Sequence, residues 1–344
     1  MTLPLPRSYA PMEAQLVAEL PVGPAWQYEP KWDGFRCIAF RDGAKVDLMS
    51  KAGKPLSRYF PELVEMLQKV RAKRFVLDGE ILVPRDGELS FDELLLRIHP
   101  AKSRVVKLAE ESPASFIVFD LLVDAKGTSI VKKPLADRRK ALEAFVRKEV
   151  PSPLKVKLSP ATTSMATVKR WFRSVGGGLD GVIAKQLALP YQTGTRHGMQ
   201  KMKSMRTAEC VVGGFRYASR GKVVGSLLLG LYDDGGLLHH VGFTSNIPND
   251  AKPALTKKLE QLVKAPGFTG QAPGGPSRWS TARSAEWEPL APKLVVEVQY
   301  DHFSGGRFRH GTSFLRWRPD KPPAKCTIAQ VEQEGRSALE LLAR

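Results

Sequence analysis

Cysteine is scarce in this chain. There are three in 344 residues, Cys37, Cys210 and Cys326, far apart and without a CxxC pair. An odd, scattered set argues against a disulfide framework or a zinc site and for buried free thiols in a reducing compartment. Long apolar runs are missing too, so no membrane span is expected. The opening MTLPLPRSYAPMEAQL has no apolar core after its charges, so no secretory leader is expected either. Acids are in short supply: 35 Asp and Glu face 53 Lys and Arg, a net charge of +18. The basic residues recur along the whole chain rather than in one tail. That favours a wide polyanion-binding surface, with nucleic acid ahead of a merely soluble basic protein.

The rest of the composition is that of an ordinary globular chain, with 42% hydrophobic and 26% charged residues. The length favours two domains over one core. Residues 25–51 read as extended segments with a turn at Arg41–Gly43. FPELVEMLQKVRAK (60–73) places Leu63, Met66, Leu67 and Val70 on one helical face behind Pro61. RFVLDGEILVP (74–84), SFIVFDLLV (115–123) and LDGVIAKQ (179–186) read as buried strands that carry acids. PLADRRKALEAFVRK (134–148) and ATVKRWFRSV (166–175) read as helices, the second closed by a turn at Gly176–Gly178. Beyond about residue 203 the texture changes. Four strand-like runs, with a hairpin turn at Asp233–Gly236, surround one helix over roughly 249–264 and a Gly/Pro-rich stretch at 266–276. About five strands and a helix suggest a small barrel such as an OB-fold.

Charges inside apolar strands need a reason. Lys31-Trp32-Asp33-Gly34, Asp78-Gly79-Glu80, Asp120 and Asp180-Gly181 all lie in or beside such runs, and Lys201 and Lys203 alternate so as to share one strand face. Acids and lysines converging on one cleft suit a nucleoside triphosphate with a divalent metal. A lysine nucleophile must be uncharged to attack, so its proton affinity has to fall, by burial or by neighbouring cations such as Lys201, Lys203 and the metal.

These residues resemble the ordered motifs of ATP-dependent DNA ligases, in the covalent nucleotidyltransferase superfamily. KWDG (31–34) resembles the KxDG motif that carries the adenylylated lysine. SKAGKPL (50–56), LDGE (77–80), VFDLL (118–122), LDGVIAK (179–185), KMK (201–203) and RWRPDK (316–321) follow in family order and cover nearly the whole chain. Three positions depart from the pattern. Asp180 stands where the family usually has Glu, Lys51 where it has Arg, and Met199 where related bacterial ligases often have Trp. The shorter acid weakens a metal contact, and the lysine loses the bidentate fork on phosphate.

The resemblance implies an α+β fold. An N-terminal nucleotidyltransferase (adenylation) domain over 1–203, with antiparallel sheets and flanking helices, precedes an OB-fold β-barrel domain over 204–344, with a hinge near Lys203–Arg206. It implies ATP as cofactor, with AMP carried covalently on Lys31, and Mg²⁺ or Mn²⁺. Glu29 is expected beside adenine, Phe119 stacked on it, and Arg36, Lys51 and Glu80 near ribose or the nick phosphate. Lys201 and Lys203 would face the phosphates, and Asp33, Glu80 and Asp180 are the metal candidates. Arg318, Asp320 and Lys321 would orient pyrophosphate in the first step. The implied partner is nicked double-stranded DNA, with end-joining or repair proteins possible alongside, for a monomer in a bacterial cytoplasm at the nucleoid. The chain resembles stand-alone repair ligases of the LigC type and the ligase domain of LigD-type enzymes. With Lys31 this early in the sequence, neither the upstream domain of NAD-dependent ligases nor a fused polymerase or large DNA-binding domain is expected. An RNA ligase or capping guanylyltransferase, which shares the lysine and acid motifs, is the alternative. A DNA-binding relative without activity is the second.

Overall fold

A computed structural model describes residues 3–85, 87–175, 179–274, 286–332 and 338–342. They fall into two compact units divided between Ser204 and Met205, and the C-terminal turn Ala338–Leu342 belongs to the first. This differs from a barrel domain running to residue 344. Ala338 and Leu341 are buried with Trp171, Leu179 and Val182 of the first unit, and that apolar contact decides where the C-terminal turn belongs. Among the described residues no helix is long and apolar enough to cross a membrane.

Among the described residues the first unit holds a two-stranded ribbon, Pro84–Arg85 with Glu88–Leu89, and two larger sheets. One orders the strands Lys45–Ser50, Phe35–Asp42, Arg74–Leu82, Ser115–Val123 and Val156–Leu158, antiparallel except for the last pair. Both faces are covered, which explains the nearly continuous apolar runs. Cys37, Ala39, Phe75 and Leu77 pack with Leu63, Leu67, Leu142 and Phe145 of the helices Pro61–Gln68 and Leu135–Glu149. Ile38, Phe40 and Val76 point the other way, toward Leu5, Met12 and Tyr191. Period-two alternation puts Arg36, Asp78 and Glu80 on this second face, with Arg36 opposite Glu80 and Ile38 opposite Asp78 in register. The other sheet orders Gln15–Leu16, Met199–Lys203, Gly181–Gln186 and Trp26–Pro30.

The first helix stops at Gln68, short of the expected 73. The buried Arg41 guanidinium takes the carbonyls of Leu67 and Val70, and the Arg71 amide turns to Glu149 O at 2.8 Å. Two helices, Phe91–Leu96 and Lys102–Glu111, escape the periodicity reading. The first is short and begins at Ser90, whose hydroxyl accepts from the Glu93 amide. The predicted turn at 176–178 lies outside the described residues, as do positions 275–276 of the Gly/Pro-rich stretch.

The second unit is built on five antiparallel strands in the order Leu238–Thr244, Val224–Tyr232, Arg206–Tyr217, Val295–Tyr300 and Ser313–Trp317. A parallel bridge from Thr244 to Thr312 joins the two outer strands and closes the barrel. The helix Lys252–Glu260 falls between the third and fourth strands in sequence; it starts later than residue 249 because Pro253 sits in its first turn. Inside lie Val211, Phe215, Leu229, Val241, Leu259 and Val296. A closed five-stranded barrel with a helix before its fourth strand is the OB-fold. The last strand, with its exposed Leu315, was not legible as a run. Cys37, Cys210 and Cys326 are all buried free thiols.

Candidate active site

The chain crosses from one sheet of the first unit to the other at residues 31–34, between Trp26–Pro30 and Phe35–Asp42. Lys31 sits at that crossing, its backbone amide donating to Gly181 O at 2.9 Å. Two motif glycines make the crossing possible. A Cβ on Gly34 would lie against the Ile81 carbonyl oxygen, and one on Gly181, which has φ +146°, would meet the Met202 carbonyl oxygen. The glycine of KxDG therefore lets the crossing approach Arg74–Leu82, and the glycine of LDGV lets its strand approach Met199–Lys203. Together these elements bring Glu29, Lys31, Arg36, Lys51, Glu80, Phe119 and Lys201 to the lining of one cleft.

The Lys31 ammonium is ion-paired with the Asp180 carboxylate, and both side chains are largely buried. Burial pulls the Lys31 proton affinity down, but the charge and hydrogen bond of Asp180, with Asp33 and Glu80 behind it, outweigh burial and raise it. Neighbouring cations that lower it are what the sequence leads one to expect; the nearest charges are instead acids, and they favour the protonated form of Lys31. The expected cations act on Lys201 instead. Burial first, then Lys31, Lys51, Lys203 and Arg196, lower its proton affinity.

Glu80 lies across the sheet from Arg36. Burial pushes its carboxyl up to about 8, against the partial relief of Arg36 and Lys31. Burial thus favours its protonated form, and a cation arriving beside it would favour the ionised one. Among the described residues no three His, Cys, Asp or Glu side chains gather as a ready-made metal cage. The carboxylates that act on Lys31, those of Asp180, Asp33 and Glu80, offer the oxygen donors that a hard divalent cation takes.

The other residues around the cleft are tightly held. Arg36 forks onto the fully buried Asp78, Nε to Oδ1 at 2.6 Å and Nη2 to Oδ2 at 2.7 Å, and the Tyr191 hydroxyl donates to the same carboxylate at 2.6 Å. Its guanidinium carbon lies 4.4 Å from the centre of the Phe119 ring, and Lys185 Nζ lies 4.6 Å from it. Glu29 is buried and accepts from Lys185 Nζ at 2.8 Å and Gln27 Nε2 at 2.8 Å. Lys51 Nζ reaches Glu13 Oε2 at 3.1 Å. Met199 is buried in the cleft lining. Lys203 shares the Met199–Lys203 strand with Lys201, opposite Gly181 in register. Asp33 lies two residues past Lys31 and contributes to its field. Asp120 forms a buried fork with Arg138, both contacts 2.9 Å, so it braces the sheet.

Sequence reasoning passed over Glu13, Asp78, Lys185 and Tyr191 as site residues. Asp78 carried a signal, as a charge inside a buried strand. Glu13 and Tyr191 carried none, because only the fold brings residues 11–14 to the cleft and residues 191–196 against them. In the second unit, Arg318 is bound by Asp320 and Glu209 and lies 3.7 Å from Glu297; Lys321 also pairs with Glu209. The three motif residues are thus brought together within the barrel unit, against acids of its own strands.

Comparison with known proteins matches residues 11–203 to the ATP dependent DNA ligase domain and residues 220–321 to the ATP dependent DNA ligase C terminal region. DNA ligase C2 of Mycolicibacterium smegmatis is 45% identical, over 98% of this chain and 98% of its own. The multifunctional non-homologous end joining DNA repair protein LigD of Mycobacterium tuberculosis is 30% identical over 87% of this chain and 37% of that longer protein. A solved Lig E DNA ligase shares the fold, with a TM-score of 0.54 at 16% identity, covering 90% of this chain and 99% of the other.

Proposed function

The chain belongs to the ATP-dependent DNA ligases, and from this we propose that Lys31 is the nucleophile that carries AMP. It is a ligase that uses ATP, and its likeness to the end-joining protein puts its work in DNA repair. The observation that carries the residue assignment is Lys31 at the crossing of two sheets, inside a cleft lined by acids, cations and Phe119. In the proposed first step, the Lys31 ammonium gives a proton to water, its Nζ lone pair forms a bond to the α-phosphorus of ATP, the bond from that phosphorus to the bridging oxygen breaks so that pyrophosphate leaves, and the second nitrogen proton passes to water as the phosphoramide forms. AMP then passes to the 5′-phosphate of a nick, breaking the nitrogen–phosphorus bond. The 3′-hydroxyl finally attacks that phosphate, and AMP leaves.

Several features support the residue roles. The buried Glu29 and Lys185 line the cleft together with Phe119 and Ile183, which offer apolar walls for a base. Arg36 is pre-aimed by Asp78, so little freedom is lost when it meets a ribose or phosphate oxygen. Lys51, Lys201 and Lys203 supply charge for the phosphates. Mg²⁺ or Mn²⁺, held by one or two carboxylates drawn from the candidates Asp33, Glu80 and Asp180 and completed by phosphate oxygens, would neutralise charge on the triphosphate. Arg318, Asp320 and Lys321 are assigned to pyrophosphate in the first step. The +18 charge suits sequence-independent binding of duplex backbone, which weakens as salt rises. We further propose a monomer acting at the nucleoid in the cytoplasm beside end-joining or repair proteins.

The test is incubation with α-labelled ATP and Mg²⁺ or Mn²⁺, next to α-labelled GTP, followed by a denaturing gel. Label from ATP that chases onto nicked DNA and disappears in Lys31→Ala, while that variant still binds the nick, is the expected result. Label that persists in Lys31→Ala would refute the assignment, and label from GTP alone would move the chain to capping chemistry.

A further inference from the structure

Glu13 plays no part in the reaction above, yet its carboxylate lies at the edge of the cleft among the cations assigned to the triphosphate. Lys51 Nζ is 3.1 Å and Arg196 Nε is 3.6 Å from the same oxygen, Oε2. The backbone that carries it is pinned. The Glu13 amide donates to Thr195 O at 2.8 Å, the Met12 amide to the Tyr191 hydroxyl at 2.9 Å, and the Gly194 amide to Pro11 O at 3.2 Å. Four hydrogen-bonding or ionic partners from residues 191–196 therefore hold the Pro11–Glu13 segment in place, and Tyr191 is itself fixed by Asp78. The surroundings are rich in positive charge, since Lys31, Lys51, Lys203 and Arg196 all disfavour a proton on Lys201. Glu13 is the carboxylate that meets two of these cations, Lys51 and Arg196.

We propose that Glu13 is a place-holding anion: it neutralises Lys51 and Arg196 in the empty cleft and is displaced by the phosphates of ATP, so that it sets the affinity for ATP. This inference rests on the ligase reading of the same cleft. The chemistry is an exchange of partners. Lys51 and Arg196 give up one carboxylate oxygen and gain phosphoryl oxygens with more charge, which form stronger charge-assisted hydrogen bonds. The Lys51 ammonium, more than half exposed, can swing to either partner at little cost. The consequence is a tax on ATP binding equal to the worth of a partly exposed ion pair.

The test compares Glu13→Gln, an isosteric change at a partly exposed side chain, with the parent, both in a Lys31→Ala background so that binding is measured without chemistry. Equilibrium titrations use ATP with Mg²⁺ and, separately, adenosine. The expected result is ATP binding tightened about two- to fivefold, adenosine binding unchanged, and the gain shrinking as NaCl is raised. In a Lys51→Ala protein the Glu13→Gln gain should shrink to whatever Arg196 alone supports. Unchanged or weaker ATP binding would overturn the proposal, as would an equal gain for adenosine, which would place Glu13 at the base rather than the phosphates. Glu13→Ala, measured in the same way, guards against a new hydrogen bond from the glutamine. Labelling of the protein with an intact Lys31 by ATP keeps the two readings apart. If that protein neither binds nor is labelled by ATP, the ligase reading fails; if it is labelled and Glu13→Gln changes nothing, only the place-holder fails.

Discussion

The neutral Glu80 makes the folded protein less stable as pH rises, and Glu80→Gln should remove that dependence. Its carboxyl titrates at about 8 in the fold against an ordinary 4.5. Between those values the folded chain keeps a proton that the unfolded chain has released, so stability falls with rising pH; below 4.5 and above about 8 this group adds no slope. At about 1.36 kcal/mol per pH unit the whole interval bounds the loss at roughly 4.8 kcal/mol. Glu80 is only partly buried, and solvent screening reduces this to roughly 2 kcal/mol. Glutamine has nearly the same shape and no charge at any pH. Urea unfolding of both proteins at pH 5, 6.5 and 8.5, without nucleotide or metal, should therefore show the smallest difference at pH 5 and a gap that widens by up to roughly 2 kcal/mol in favour of Glu80→Gln by pH 8.5. The same variant should lose adenylylation, separating stability from activity at one residue. Parallel curves across the pH range would refute the reasoning, since they would mean that Glu80 is ionised in the folded protein.

Two further perturbations separate bracing from chemistry. Asp120→Asn leaves the buried Arg138 guanidinium without its counter-charge and should cost about 3–5 kcal/mol in urea unfolding; a loss below about 1 kcal/mol would mean that the pair is solvated. Gly34→Ala sets a methyl group against the Ile81 carbonyl, so it should cost about 1–3 kcal/mol and abolish labelling by ATP, and full labelling with unchanged stability would show that the sheets part freely at the crossing.

Strand and helix placement was largely legible, because the buried strands announce themselves as apolar runs. Ser115–Val123 matches its expected span residue for residue. What periodicity missed was short or exposed, such as Phe91–Leu96 and Ser313–Trp317. In those elements packing partners, rather than local pattern, hold the backbone.

The order and identity of the motif residues determined the family, because a lysine, an acid and a glycine at fixed spacing are local facts that the chain carries in its letters. The reason for each glycine is not local. It appears only when the carbonyls of Ile81 and Met202 come to lie where a side chain would be. The charge state of Lys31 is likewise set by Asp180, 149 positions away, and the sign of that effect reversed the expectation from nearby lysines. Glu13 gained its place in the cleft from a loop nearly two hundred residues later in the chain. Electrostatic energy depends on distance through space, and distance along the chain does not report it.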